Sequence, residues 1–443
     1  MKKYPILLLV LMALWSCQEK ENIQITSEDF HASVDKVTQV MVHDIFSPPV
    51  ASRIFAYPNI AAYEIMASQE SEFNSLVGQI DDLSAIPKPT DTKQLNFELA
   101  ALVAHMELSK RLIFSEEMVE SFRDSLYKKW NAINSTQFQK SKDYGLEVAD
   151  FIGQWMNKDN YKETRTMPKF SVYSDDPSRW QPTPPAYMDG IEPHWNQIRP
   201  FTLDSAAQFK PAPPPAFSMN KDSEFFKELE EVFIISNEIT SKGDSSEEVQ
   251  IAQFWDCNPY VSITRGHLMF ATKKITPGAH WIGITKIACR KSEFDFISTV
   301  NAYTKTSIGI FEAFISCWDE KYRSNLIRPE TLINKYFDDS WKPILQTPPF
   351  PEYTSGHSVV SGCASTVLTS IFGDNYQFDD DTEITYGLPV RSFESFNKAA
   401  DEAAVSRLYG GIHYRAAIDV GLEQGRQLGQ FVVKKLKLEA TSK

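Results

Sequence analysis

The last helix that the sequence predicts, from about residue 414 onward, carries Ala417, Gly421, Gly425 and Gly429 at four-residue steps. Residues four apart share one helix face, so this face is a ridge nearly free of side chains. Glycine inside a helix costs about 1 kcal/mol relative to alanine. Close packing against a neighbouring helix offsets that cost, because a bare ridge lets two backbones approach. The segment 358–372 reads as a second clear helix. Val360, Cys363, Ala364, Val367, Leu368 and Ile371 fall on one face, and Gly373 supplies a C-terminal stop. Segments 96–114, 115–131 and 136–156 carry apolar residues at three- and four-residue spacing. Ser27-Glu28-Asp29 reads as a helix cap. Segment 294–318 predicts a long apolar helix that delivers Lys321 just past its end. Strand patterns are scarce. The expected fold class is all-α, a helical bundle with its site between helices of the C-terminal part.

Four stretches follow along the chain. Residues 1–17 form a leader, 18–164 a helical region, 165–216 an irregular excursion and 217–443 a second helical region that holds the chemistry. The excursion is dense in proline, as in Gln181-Pro182-Thr183-Pro184-Pro185 and Pro211-Ala212-Pro213-Pro214-Pro215. Trp180, Tyr187, Trp195 and Phe201 argue that it is ordered, since floppy linkers are poor in aromatics. It either covers the mouth of the site or wraps two helical layers.

Within the leader, Met1-Lys2-Lys3 is a basic start and residues 6–15 a short apolar run, too short for a permanent membrane span. Leu14-Trp15-Ser16-Cys17 resembles a bacterial lipobox with Cys17 as the lipidated residue, and Gln18-Glu19-Lys20-Glu21 resembles a surface-export signal. The expected location is an outer-membrane or cell-surface lipoprotein, or the periplasm, of a Gram-negative bacterium, with membrane attachment through the N-terminal lipid alone. After residue 20 no long uninterrupted apolar stretch occurs. Cys257, Cys289, Cys317 and Cys363 could close two disulfides in an oxidising compartment, although Cys363 on its apolar helix face reads as a buried thiol. None of the cysteines shows metal-ligand spacing along the chain. A net charge of -13, without a Lys/Arg run, excludes a nucleic-acid partner. Oligomeric state is not legible.

Against this acidic background three basic clusters stand out. Lys321 is followed after six residues by Arg328-Pro329, then comes Ser355-Gly356-His357, then Ser406-Arg407 followed after five residues by His413. Arginine offers a planar fork of donors to a tetrahedral oxyanion and lysine a point charge. A Ser-Gly step opening a helix adds backbone N–H groups and the positive end of the helix dipole. Two histidines remain, one to bond the central atom and one to move protons. The ordered set says phosphate-like ligand, basic clamp and histidine catalysis.

This set resembles the signature shared by vanadium-dependent haloperoxidases and the acid phosphatases of the type-2 phosphatidic acid phosphatase superfamily. Trp318-Asp319-Glu320-Lys321-Tyr322, Pro348-Pro349-Phe350-Pro351-Glu352-Tyr353 and Gly410-Gly411-Ile412-His413-Tyr414-Arg415 resemble the haloperoxidase side. Thr354 stands where the family usually has proline, and Ala417 where the phosphatases have aspartate, with Asp419 two residues later. The resemblance implies vanadate as cofactor, with hydrogen peroxide and a halide as substrates, iodide or bromide ahead of chloride. A secreted acid phosphatase that hydrolyses phosphate monoesters through a phosphohistidine is the alternative. The implied cofactor clamp is Lys321, Arg328, Ser355, Gly356 and Arg407, with His413 bonded to vanadium. His357 would be the acid–base group, and Trp318 and Phe350 would line the halide side. Asp256 would pair with and orient Arg407. His280 is a weaker candidate, and His31, His43, His105, His194 and His267 read as structural.

Overall fold

A computed structural model describes residues 21–439 apart from 260, 261, 266, 267, 272 and 273. The leader with Cys17, and His267, lie outside the described residues. Helix accounts for 58% of the chain and strand for 3%, which makes the fold all-α as expected.

The N-terminal helices are α1 (Ser27–Asp44), α2 (Pro48–Ala67), α3 (Phe97–Lys110), α4 (Glu116–Ile133), α5 (Ser135–Met156) and the short α6 (Tyr161–Thr164). The cap expected near Ser27 is a capping box one residue earlier: Asp29 Oδ2 accepts from the Thr26 N–H at 2.9 Å. After the excursion come α7 (Glu224–Lys242), α8 (Glu247–Phe254), α9 (Pro277–Lys291), α10 (Phe296–Ser324), α11 (Pro329–Tyr336), α12 (Gly356–Phe372), α13 (Phe396–Tyr409) and α14 (Arg415–Lys435). Two short antiparallel ribbons, Ser262–Arg265 with Leu268–Ala271 and Phe378–Asp380 with Arg391–Phe393, decorate the bundle.

The bare ridge finds its partner in α12. A Cβ on Gly425 would lie 2.1 Å from the Val359 carbonyl oxygen, so the two backbones touch there. One turn earlier, the Ser355 N–H donates to the Ala417 carbonyl at 2.9 Å. The contact therefore fixes the Ser-Gly-His step at the head of α12 against the start of α14, which follows His413. Helices α10 and α13 pack on the other sides of α12. The main apolar core runs through the bundle from Ile23 to Leu438.

Two sequence expectations change. Helix α10 continues past Trp318 to Ser324 and ends on Asn325 in the left-handed region (φ 49°), a conformation asparagine tolerates. Lys321 thus sits inside the last turn of α10, not beyond its end. Cys257, Cys289, Cys317 and Cys363 are all buried free thiols, so the two disulfides do not form. Their sulfurs have other neighbours: Cys317 faces the Thr354 carbonyl at 3.6 Å and Cys363 the Gly309 carbonyl at 3.2 Å.

The excursion wraps the helical layers. Trp180, Trp195 and Phe201 are buried, whereas Tyr187 is exposed. The Phe201 N–H donates to Glu312 Oε1 of α10 at 2.8 Å, and Trp318 Nε1 donates to the Ile191 carbonyl at 3.3 Å. No excursion residue is among those lining the cavity described next.

Candidate active site

One cavity opens between the ends of α10, α12 and α13. Trp318, Phe350, Gly356, His357, Arg407 and His413 line it, together with Pro48, Cys257, Phe314 and Ile412. Lys321, Arg328 and Ser355 stand immediately behind these residues and are buried. The sequence-predicted set therefore converges.

Each member is placed by local structure. Ser355 caps α12 by accepting from the Ser358 N–H at 3.3 Å, which leaves its hydroxyl hydrogen to donate. Gly356 and His357 begin the helix, where N–H groups lack intrahelical partners. Just past the end of α13, Gly411 takes φ 75°, a conformation open to glycine. The Ile412 N–H reaches back to the Arg407 carbonyl at 3.2 Å, which turns His413 toward the clamp.

The clamp is held by backbone carbonyls. Lys321 Nζ donates to Pro351 at 3.1 Å, Glu352 at 3.0 Å and Thr354 at 2.5 Å. Arg328 Nε donates to Phe350 at 3.0 Å and Nη1 to Ile412 at 2.9 Å. Arg407 Nη2 donates to Trp255 at 2.7 Å, and its Nε to Ser406 Oγ at 3.0 Å. Trp318 and Phe350 meet with centroids 5.0 Å apart, and the Phe350 ring lies 4.9 Å from Lys321 Nζ and 5.1 Å from Arg328 Cζ. Aromatic faces favour cations and exclude water.

His413 is the most constrained group. Arg328 Nη1 donates to its Nε2 at 3.0 Å, so Nε2 carries a lone pair and Nδ1 carries the proton. That Nδ1–H donates to Glu352 Oε1 at 2.7 Å, and the same oxygen accepts from the Tyr414 N–H at 3.0 Å. Glu352 is the functional residue that sequence reasoning missed. Its signal was a lone acid in the uncharged run Pro348-Pro349-Phe350-Pro351-Glu352-Tyr353-Thr354.

Asp256 does not pair with Arg407 as expected. Its carboxylate is ion-paired with Lys274, and it acts on Arg407 only through space. His280 is buried outside the clamp, with Nε2 on Asp380 Oδ2 at 2.8 Å. His31 is hydrogen-bonded to Tyr303 and His105 to Ser33, as structural histidines. His43 pairs with Asp44 and His194 with the Pro168 carbonyl.

The electrostatics call for an anion. Burial pushes Lys321 down to about 7, with the Arg328 charge adding to the shift, and burial pushes Arg328 down to about 10 against the pull of Glu352. Burial raises Glu352 to about 8 against the pull of Arg328 and Lys321. His413 is held well below its usual range by burial, then by Arg328, Lys321 and Arg407. Burial, then Arg407, does the same to His357, while the Trp255 backbone opposes the shift. Arg328 Nη2 and His357 Nε2 are buried with no hydrogen-bond partner. An orphaned Arg328 donor, an unpartnered imidazole nitrogen and closely grouped cations in one cavity are costly. A tetrahedral or trigonal oxyanion supplies the missing acceptors and charge, so these residues fit vanadate.

The comparisons with known proteins agree with this geometry. The family model described as "VCPO second helical-bundle domain" matches residues 301–440. A vanadium-dependent bromoperoxidase of Corallina officinalis is 36% identical over 78 residues, a match that spans 15% of this chain and 13% of that protein. The crystal structure described as the first bacterial vanadium-dependent iodoperoxidase superposes with a TM-score of 0.93 at 68% identity, covering 96% of this chain and 100% of the other. A holo-type bacterial vanadium-dependent chloroperoxidase shares the fold, with a TM-score of 0.67, 16% identity, and 94% and 97% of the two chains covered. The chain belongs to the vanadium-dependent haloperoxidases, enzymes whose cofactor is vanadate and whose substrates are hydrogen peroxide and a halide.

Proposed function

We propose that this chain oxidises iodide with hydrogen peroxide, with bromide second and chloride last. The observation that carries the proposal is His413: its Nε2 lone pair stands in a buried cavity against Arg328, with Nδ1 locked to Glu352. The identity to a named iodoperoxidase over nearly the whole chain supports the choice of halide.

The residues divide the work. His413 Nε2 would be the ligand atom for vanadium, and the Arg328 guanidinium that donates to it would instead donate to the oxyanion's oxygens. Arg407 would hold further oxygens as a charged donor, Lys321, whose three N–H bonds go to backbone carbonyls, would add positive charge from behind, and the Gly356 N–H and Ser355 hydroxyl would complete the cradle. Vanadate, when bound, supplies Lewis-acid activation of hydrogen peroxide without changing oxidation state. His357 is neutral at neutral pH, because burial and Arg407 disfavour its charged form. Its Nε2 is therefore ready to take the proton of incoming peroxide and later return it. Trp318 and Phe350 keep water from the halide side. Hypohalous acid leaves as product.

The test is halide oxidation by purified protein with and without vanadate, beside a phosphatase assay on the same sample. Vanadate-dependent turnover of iodide faster than bromide is expected. Absence of halide oxidation after vanadate loading, with phosphate-ester hydrolysis that vanadate inhibits, would reject it. We also propose attachment to the cell envelope through lipid on Cys17, which metabolic labelling with palmitate and a Cys17→Ala control would test.

A further inference from the structure

The turn at residues 255–257 gives its Trp255 carbonyl to Arg407, but its side chains enter a second cluster. The Trp255 ring stacks on His280 of α9, with centroids 4.5 Å apart and planes 20° from parallel. His280 Nδ1 lies 3.5 Å from Cys257 Sγ and 3.5 Å from Glu383 Oε1. All three groups are buried, and their donor atoms lie within 4.8 Å of one another. Among the described residues this is the one such grouping of His, Cys and acidic donors.

We propose that Cys257 Sγ, His280 Nδ1 and the Glu383 carboxylate bind a divalent d-block cation, zinc foremost. Bond lengths of about 2.0–2.3 Å to N, O and S make the edges of a tetrahedral zinc site roughly 3.5 Å. The two measured donor separations have that size. A thiolate, an imidazole and a carboxylate are a donor set zinc accepts, whereas magnesium and calcium prefer oxygen alone. The outer shell is also built. Asp380 Oδ2 takes His280 Nε2 at 2.8 Å, and its Oδ1 accepts from the Thr382 N–H at 3.0 Å and the Thr382 hydroxyl at 2.7 Å. A carboxylate held this way fixes the tautomer that leaves Nδ1 for metal.

Charge points the same way. Two carboxyls, Asp380 and Glu383, press on a single imidazole in a fully buried place. The nearby ammonium of Lys274 is spent on Asp256. A dication balances the Cys257 thiolate and the Glu383 carboxylate and leaves His280 neutral on Asp380. The fourth position falls to water from the cavity that Cys257 lines. The ion would clip the 255–257 turn to α9 and to the 380–383 turn, and so hold the carbonyl that anchors Arg407.

Elemental analysis of the full chain, purified without chelator, measures zinc and vanadium separately. One zinc per chain is expected to survive dialysis. Replacement by Co²⁺ should give visible d–d bands and a thiolate-to-cobalt charge-transfer band. Cys257→Ser should lose that band, and Glu383→Gln should weaken zinc binding about tenfold or more. His413→Ala should keep its zinc, which separates this site from the vanadate clamp. Zinc and cobalt at background in wild-type protein with native circular dichroism would overturn the proposal. So would a charge-transfer band unchanged in Cys257→Ser. If a variant fails to fold, the wild-type cobalt spectrum alone decides.

Discussion

At the scale of single residues, the site works through protonation states imposed by burial. Burial pushes Lys321 down to about 7, so its charged form is weakly favoured when no anion is bound. An oxyanion beside it restores its charge, so vanadate binding near pH 7 should take up protons. Titration calorimetry in buffers of different ionisation enthalpy would show this, and no proton uptake would contradict it. Glu352 fixes the His413 tautomer, and partners of this kind are worth about 10–100-fold in ligand affinity. Glu352→Gln is therefore expected to raise the vanadate concentration for half-activation by about that factor, with folding preserved. His357→Ala should instead lower kcat by roughly 10²–10⁴-fold while vanadate still binds. His413→Ala should lose both. The clamp was legible in the sequence because its members are charged residues in an acidic chain, in motifs of fixed spacing. The Glu352–His413 bond was not, because it joins residues 61 apart through a loop and a turn whose geometry no periodicity encodes. The mistaken Asp256–Arg407 pairing has the same origin: Lys274, the partner that captures Asp256, reaches it from outside any local pattern.

At the scale of elements, the α12–α14 contact decides whether the cradle exists. Gly425→Ala would drive a Cβ into the Val359 carbonyl, 2.1 Å away, and neither backbone can yield without shifting a helix. The expected cost is about 3 kcal/mol or more, read by chemical denaturation, with vanadate binding lost alongside. Gly421→Ala is gentler, because its Cβ would meet Ser358 Cβ at 3.1 Å and the Ser355 carbonyl at 3.3 Å. It should spare the fold and still weaken vanadate binding through the displaced Ser355. Helix identity was readable from periodicity, and 358–372 was placed within two residues of α12. Helix ends were less so. The overrun of α10 to Ser324 depends on Asn325 taking a left-handed cap, which sequence permits without requiring. The free cysteines show a similar gap: composition allowed bridges, and the topology put each thiol on a different element.

For the whole molecule, two responses follow from what is buried. A ligand that binds only the folded chain stabilises it by mass action, about 3 kcal/mol at a hundred times its Kd. Vanadate should raise the thermal midpoint accordingly, and inorganic phosphate should compete for the same shift. The second response is to acid. Burial pushes His31 down to about 4 and His105 to about 3. Each binds fewer protons folded than unfolded below its free pKa of about 6.5. The stability they contribute is thus complete above pH 6.5 and declines as pH falls toward their folded values. Scanning calorimetry from pH 7 to 4 should show the decline, and His105→Gln should flatten it; an unchanged slope would count against the assignment.

Where Gly425 seats one main chain on another, the backbone has no room to shift when the cofactor arrives, and the Arg328 side chain alone must leave His413. Loading then amounts to exchanging one solvation shell for another inside a finished mould. Its calorimetric mark would be a small heat-capacity change, and its speed would be set by diffusion and by the shedding of water.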